Sequence, residues 1–313
     1  MNLAWTSPLL LVTSAAAITP LAVPPANSTA VVAAPTIASP VATSPAAPAV
    51  QDERARASDF ADTGAVVVTP EQEEAVNRGL AWLADHQSSD GSWVAKIGFK
   101  LNNDFRYTAD DKGHLGVTSL ACMAFLAGGH LPGRGKYGKN VDAGLKFVLS
   151  CVQEDGYITF GGTRMYDHAF ATLFLAEVYG MTSREDVKAS LQKAVDFIVK
   201  SQNAEGGWRY EPYSQESDMS IVVCQVIALR AARNIGIRVP RSTVERAARY
   251  VVDSAVTRDG ILDPGMGYSG GFGGSEIGTF HYQKDVHSRS SFPLTAAGVT
   301  ALHGLGIYSD ELI

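Results

Sequence analysis

Acidic residues, two of the three times with a histidine close by, stand at three places in this 313-residue sequence, each directly before or at the start of an apolar run. These places hold Asp110, Asp111 and His114, then Tyr166, Asp167 and His168, and finally Asp218. Carboxyl and imidazole groups are the commonest general acids and bases, and the positive end of a helix dipole acts on their charge. Asp110, Asp111, Asp167 and His168 are therefore candidate catalytic residues.

The same aspartates also have structural interpretations. Asp167 and Asp218 stand where the N-cap of a helix belongs, and a capping carboxylate accepts backbone hydrogen bonds instead of moving protons. Asp110 and Asp111 could share one proton, which would raise one of the two pKa values, or they could lie in a solvated loop. Residue type and position leave both alternatives open.

Charge and cysteine usage exclude several classes of function. The chain has 26 Lys and Arg against 32 Asp and Glu, so it lacks the positive excess that nucleic-acid binding requires. Cys122, Cys151 and Cys224 form no Cys-x-x-Cys pair, and each lies in an apolar string. This pattern predicts buried thiols. We expect no nucleic-acid partner and no cofactor.

The first 51 residues differ in composition from the rest, because they contain no charged residue and no glycine. Residues 1–23 include an apolar run that suits a secretory signal, with small residues at 15–17, although no Lys or Arg precedes it. The run is too short and too interrupted for a membrane span. Residues 24–60 predict a disordered Ala/Pro/Ser-rich linker, and residues 61–313 the folded domain. The expected location is exported or periplasmic, with the cytoplasm as the alternative.

A repeat dominates the folded domain. Residues 78–83 are followed by Gln87, Gly91 and Trp93, and the same frame returns at residues 193–198 with Gln202, Gly206 and Trp208. Weaker copies occur at 143–148 and 246–251. The spacing of the copies, about 50 to 65 residues, is the length of a helix pair with its loops.

Local signals place two helices in each repeat. The first helices have candidate starts at Thr69 with Gln72, Thr182 with Glu185, Ser242 with Glu245, and Asn140. The second helices are predicted at 116–126, 167–179, 218–234 and 293–305, each ending at a left-handed glycine: Gly128, Gly180, Gly236 and Gly306. The first helices are rich in charge and the second are apolar almost all round. This predicts an all-α toroid of about four helix pairs, open or partial, with a charged outer and an apolar inner layer.

Each complete copy has Arg or Lys followed by Gly or Ala, then an aromatic and an aliphatic residue, a Gln, and Gly-x-Trp. This frame resembles the repeat of squalene and terpene cyclases and of protein prenyltransferase β subunits. The resemblance covers about residues 70 to 306. It implies an α/α toroid whose site lies in a central cavity, near the N-terminal ends of the inner helices. It also implies that Gln87 with Trp93, and Gln202 with Trp208, tie the outer helix end to the turn.

The sequence departs from this family in several places. Val152 and Ala255 replace the glutamine in copies two and four, which also lack the tryptophan, so we expect looser packing there. The cyclase acid motif Asp-x-Asp-Asp corresponds to Thr108-Ala109-Asp110-Asp111, which lacks its first acid. A prenyltransferase-like zinc site would need an Asp, a Cys and a His. The cysteines do not match it, so no metal is expected, although Asp111, His114, Asp167 and His168 are the residues that could bind one.

Other side chains are candidates for binding a ligand. Tyr166, Phe170, Asp218 and Phe292 lie at or near the starts of the inner helices, and aromatic rings there could line a greasy pocket or simply be core. Six glycines between 265 and 274 suggest a mobile flap over the cavity, and His281 and His287 beyond it are expected to be solvated.

Two functions remain in view. The first is a squalene cyclase or prenyltransferase-like protein that binds, and transforms, an isoprenoid or other apolar small molecule. The alternative is a noncatalytic exported scaffold of the same fold that binds a protein partner. A carbohydrate-active α/α barrel would need a carboxylate pair facing a groove, and the Gln-x-x-x-Gly-x-Trp frame speaks against it.

Overall fold

The computed structural model describes residues 68–96, 111–256, 279–284, 288 and 290–308. The predicted signal and linker, Asp110, His287 and the glycine-rich segment lie outside these residues. Within the described ranges, β structure is confined to isolated bridges such as Val94 with Gly113. The described residues form eight helices: α1 (Pro70–Asp85), α2 (Leu115–Ala127), α3 (Gly138–Ser150), α4 (Met165–Thr182), α5 (Glu185–Ser201), α6 (Met219–Asn234), α7 (Arg241–Asp253) and α8 (Phe292–Leu305).

The helices form two layers. The even-numbered helices pack against one another in chain order, α2 on α4, α4 on α6 and α6 on α8, and the odd-numbered helices pack on their outer side. Among the described residues, α2 and α8 make no comparable contact with each other. Apolar side chains occupy the inner layer because the removal of apolar surface from water is favourable. Within the described residues, the predicted all-α fold of paired helices with an apolar inner layer is confirmed.

The predicted start of α1 is confirmed. The Thr69 hydroxyl accepts a hydrogen bond from the Gln72 backbone N–H (3.3 Å), and the Gln72 side chain accepts one from the Thr69 N–H (2.9 Å). The box predicted at Thr182 is wrong, because α4 continues through that residue and its hydroxyl donates to the Val178 carbonyl (2.6 Å). The N-cap of α5 is Arg184 instead.

The two remaining starts are also wrong by a few residues. α7 begins at Arg241 behind Pro240, so Ser242 lies inside the helix. α3 begins at Gly138, so Asn140 is likewise a helical residue. In both cases a capping side chain is present in the sequence, but the backbone has already entered the helix.

The helix ends agree better with expectation. Gly236 (φ 86°) and Gly306 (φ 89°) adopt the left-handed conformation that stops α6 and α8. Gly180 does not stop α4, which runs two residues further, and Ser183 (φ 53°) takes the left-handed position. After α2 that position belongs to Gly129 (φ 83°), one residue beyond the predicted glycine.

In the first repeat, the frame residues join two outer helices. The Gln87 side-chain amide donates to the carbonyls of Gly91 and Asn140, both at 2.9 Å. Asn140 in turn donates from its side chain to the Gln87 amide oxygen (2.7 Å). The Trp93 indole N–H donates to the Leu83 carbonyl at the end of α1 (2.8 Å). The glutamine therefore holds the turn to α3, and the tryptophan holds it to α1.

The third repeat makes the same contacts. The Gln202 amide donates to the carbonyls of Gly206 (2.8 Å) and Thr243 (3.0 Å), and the Trp208 indole donates to the carbonyl of Ile198 (2.8 Å). Here too the glutamine connects the end of one outer helix, α5, to the beginning of the next, α7.

The second repeat keeps the close approach without the glutamine or the tryptophan. Gly156 (φ 93°) lies directly against the Lys193 carbonyl of the next outer helix, as Gly91 and Gly206 lie against theirs. Ile158 fills the tryptophan position and is fully buried. This copy therefore keeps the close approach of the glycine and a buried apolar side chain, without the hydrogen bonds of the glutamine and the tryptophan.

The predicted burial of the thiols is confirmed for Cys122 and Cys151, whereas Cys224 is half-buried. Burial raises the pKa of the Cys122 thiol to about 12, so the sulfur is an uncharged packing atom. It lies against Gly144, which lets α3 approach α2 closely.

Replacing Gly206 by alanine should destabilise the fold more than a left-handed conformation alone explains. A Cβ at Gly206 would overlap the Arg246 carbonyl, whereas a Cβ at Gly129 would meet nothing within 4 Å, although both glycines have positive φ. We expect Gly129→Ala to cost about 1 to 2 kcal/mol and Gly206→Ala about 1 to 3 kcal/mol more, measured by urea unfolding. Equal losses would contradict this close-packing interpretation.

The contact between Gly144 and Cys122 should appear as a positive coupling between two substitutions. Gly144→Ala alone places a methyl group on the Cys122 sulfur and should cost about 1 to 3 kcal/mol of unfolding free energy. Cys122→Ala removes that sulfur, so the double variant should be more stable than the sum of the two single losses predicts. Strict additivity in urea unfolding would show that the two residues do not compete for space.

Candidate functional site at the N-terminal ends of the inner helices

Asp167 joins the starts of two inner helices. Its Oδ1 accepts a hydrogen bond from the Gly116 backbone N–H in the first turn of α2 (2.8 Å), and its Oδ2 accepts one from the Arg164 N–H that precedes α4 (3.3 Å). The His114 Nδ1 lies 3.0 Å from Oδ1. Asp167 is buried and sits in the first turn of α4. The carboxylate thus accepts hydrogen bonds from N–H groups that would otherwise be unpaired at the starts of two neighbouring helices.

His168 lies in the core, with both ring nitrogens in contact with backbone groups. Its Nδ1 accepts from the Ile158 N–H (3.0 Å), and its Nε2 faces the Ala194 carbonyl (3.2 Å), which together fix one neutral tautomer. Burial lowers the pKa of His168 to about 4. Thr118 has the corresponding position in α2, where its hydroxyl accepts a hydrogen bond from the backbone N–H of Trp93 (3.0 Å).

Asp218 caps α6 and is fully buried. Its Oδ1 accepts hydrogen bonds from the Ile221 N–H (3.0 Å) and from the Ser220 hydroxyl, and its Oδ2 lies 4.0 Å from Arg209 Nη1. Loss of hydration raises the pKa of Asp218, against the opposing effect of these hydrogen bonds and of Arg209. The Tyr166 hydroxyl donates to the Ser220 oxygen (2.5 Å), which connects α4 to this carboxyl group.

Two more tyrosines extend the polar cluster. The hydroxyls of Tyr210 and Tyr282 are hydrogen-bonded to each other, and the Tyr166 and Tyr210 rings lie 5.9 Å apart. Burial raises the pKa of the Tyr166 and Tyr282 phenols above the usual value, so both stay protonated at neutral pH. We call Tyr166, Tyr210, Ser220, Tyr282 and Asp218 the hydroxyl cluster.

An apolar surface lies on the side of the inner layer that the outer helices do not cover. Its residues recur every three or four positions and are partly exposed, with Leu120 44% and Val117 36% accessible. We call this surface the inner face, and it consists of Val117, Leu120, Phe170, Leu173, Val223 and Ile227. Phe292, at the start of α8, is 84% exposed, whereas Phe125 and Phe174 are fully buried core residues.

The structure brings together only part of the candidate set. Tyr166 and Asp218 meet through Ser220, and Asp167 meets His114, whereas His168 is enclosed among core side chains and Asp111 is exposed. Ser220, Arg209, Tyr210 and Tyr282 were missed in the sequence. The only signal was that Ser220 follows a capping aspartate and that Arg209 and Tyr210 follow the repeat tryptophan.

Three further observations concern metals, His281 and membranes. The described residues contain no group of three or more His, Cys, Asp or Glu side chains arranged to hold a metal ion. His281 is buried and its Nδ1 lies 2.9 Å from the Ser288 carbonyl, so the expectation that it is solvated is wrong. In the part of the chain that the structure describes, no helix is both long and apolar enough to cross a membrane.

The buried neutral state of His168 predicts a loss of stability in acid. Between the unfolded pKa of about 6.5 and the folded value of about 4, the unfolded chain binds a proton that the folded chain does not. Stability should therefore fall by about 1.4 kcal/mol per pH unit as the pH drops through this window. Urea unfolding of His168→Gln should show a shallower pH slope than the unsubstituted protein, whereas the exposed control His303→Gln should not. An identical slope in all three proteins would contradict the assignment.

Comparison with known proteins places this architecture in a family. The family model "Prenyltransferase alpha-alpha toroid domain" matches residues 60–302. A squalene–hopene cyclase from Bradyrhizobium diazoefficiens is 27% identical over 192 residues, which cover 54% of this chain and 28% of that protein. The solved structure of an ent-copalyl diphosphate synthase from Streptomyces platensis superimposes with a TM-score of 0.41 at 18% identity, over 71% of this chain and 37% of that one. The chain spans less than a third of the length of the cyclase. On the strength of the domain match, this chain belongs to the prenyltransferase α/α toroid family.

Proposed function

We propose that this protein binds an isoprenoid or a similarly apolar small molecule on the inner face. The observation that supports the proposal is the exposed fraction of large apolar side chains on three adjacent inner helices. Leu120 on α2 is 44% accessible, and Phe170 on α4 and Val223 on α6 are partly accessible on the neighbouring inner helices. Exposed apolar side chains on neighbouring helices favour a binding site because covering them releases water. Membership of the toroid family supports an isoprenoid as the ligand.

Within this proposal, the hydroxyl cluster lies where the polar end or the reactive group of the ligand would be placed. Tyr166 of the cluster and Phe170 of the inner face stand one helical turn apart on α4. Side chains at this spacing share one side of a helix, so the cluster borders the inner face. Phe292, at the start of α8, is a further exposed apolar side chain. Asp218 is the carboxyl group best placed to act on the polar end of the ligand, since the Ser220 and Tyr166 hydroxyls connect it to the edge of the inner face. Asp110 and Asp111 remain candidates for the same role.

A noncatalytic scaffold, exported from the cell, is the second candidate. It is favoured by the contacts of two predicted catalytic residues. Asp167 is engaged by backbone N–H groups of two helices, and His168 has both ring nitrogens occupied in the core. A protein that used the inner face for a partner chain would have no need of an acid.

Charged substitution on the inner face should abolish ligand binding without loss of folding. We expect native mass spectrometry of the full chain, incubated with squalene or with prenyl diphosphates, to show a bound ligand. Leu120→Glu should weaken retention at least about tenfold, because the ligand would bury an unpaired carboxylate. Val252→Glu is the matched control, since Val252 is 37% exposed on the outer helix α7.

The outcomes separate the two functions. Bound ligand in the unsubstituted protein and in Val252→Glu, but not in Leu120→Glu, supports the binding site. Bare protein under all conditions, or an assembly without ligand, would remove the ligand-binding proposal and favour the scaffold. If the ligand is transformed, Asp218→Asn should still bind it and should lose turnover.

A further inference from the structure

The starts of inner helices are natural binding sites for anions, because their unpaired N–H groups and the helix dipole point at the ligand. In this protein the first two such starts are already occupied by one carboxylate. Asp167 accepts from the Gly116 N–H of α2 (2.8 Å) and from the Arg164 N–H before α4 (3.3 Å). A negative charge on a ligand would therefore meet a resident negative charge at both helices.

The other two inner helices offer no better anion site. The Asp218 carboxylate accepts from the Ile221 N–H at the start of α6 (3.0 Å). α8 begins with Phe292 and Pro293, and proline has no N–H to donate. All four described starts of inner helices are thus either closed by an aspartate or lack part of their donor set.

The arginines at this end of the protein are compensated as well. Arg164 Nε lies 2.7 Å from a carboxylate oxygen of Glu211. Arg209 lies 3.5 Å from Glu216 and 4.0 Å from Asp218. Arginine binds phosphate groups strongly when its charge is available. Here acidic side chains offset the charge of both guanidinium groups, although Arg209 Nη1 itself makes no hydrogen bond.

What the site offers instead is a set of neutral hydroxyl groups. Tyr166, Ser220, Tyr210 and Tyr282 lie together, and each hydroxyl can both donate and accept a hydrogen bond. Such a set suits an alcohol or another uncharged oxygen, and their rings suit an apolar chain.

We infer that the site selects ligands whose polar end is uncharged, and that Asp167 and Asp218 are specificity-determining residues that exclude diphosphates. This inference rests on the proposed function, since it names the class of ligand that the inner face and the hydroxyl cluster would take. It assigns to the two aspartates a role in discrimination besides their role as helix caps.

A matched pair of ligands tests the inference directly. Geranylgeraniol and geranylgeranyl diphosphate share one hydrocarbon chain and differ only in the head group. With the full chain, we expect the alcohol to bind at least about tenfold more tightly than the diphosphate, measured by native mass spectrometry and by equilibrium titration. Asp167→Asn and Asp218→Asn should each reduce that preference several-fold, because asparagine keeps a capping oxygen and removes the charge.

The control variant is Asp196→Asn, which removes one negative charge from an exposed position on the outer helix α5. Its preference for the alcohol should equal that of the unsubstituted protein. Tighter binding of the diphosphate by the unsubstituted protein would overturn the inference and leave the proposed binding function standing. Unchanged preference in both Asp→Asn variants would also overturn it, whereas binding of neither ligand would refute the proposed function itself.

Discussion

The close approach of each repeat turn to the next outer helix underlies the arrangement of this protein, and in the first and third repeats a glutamine side chain holds it by hydrogen bonds. Gln202 donates both of its amide hydrogens to backbone carbonyls, one in its own turn at Gly206 and one in the next outer helix at Thr243. A buried carbonyl without a partner is costly, so each bond removes a penalty as well as adding an attraction. The glycine must then lie against the neighbouring helix, and Gly206 does so in a left-handed conformation.

The position of the inner helices follows from that spacing. The Trp208 carbonyl accepts from the Asp218 N–H (3.1 Å), as the Trp93 carbonyl accepts from the His114 N–H (2.9 Å). Each turn that the glutamine fixes therefore also fixes where the next inner helix begins. This arrangement gathers the starts of the inner helices at one end of the layer, where Asp167 and Asp218 can reach backbone N–H groups.

The site combines buried carboxylates with an apolar surface. Buried carboxylates are expensive unless hydrogen bonds or cations compensate them. Asp167 is compensated by backbone donors on two helices, and Asp218 by a hydroxyl, a backbone donor and a nearby guanidinium group. Compensation makes these charges affordable in the fold, and it also leaves little positive potential for an anionic ligand. The apolar inner face and the hydroxyl groups of Tyr166, Tyr210, Ser220 and Tyr282 are what remain for binding.

The sequence by itself determined the class of fold, the order of outer and inner helices, and the frame residues. These follow from local properties: the period of apolar residues, the Thr69 capping box, and glycines such as Gly236 at helix ends. Only the tertiary structure decided what the site residues contact. Asp167 caps a helix that lies 51 residues earlier in the chain, and His168 pairs with the carbonyl of Ala194 on another layer. No local pattern specifies such partners, because they depend on which helices become neighbours after the layers have packed.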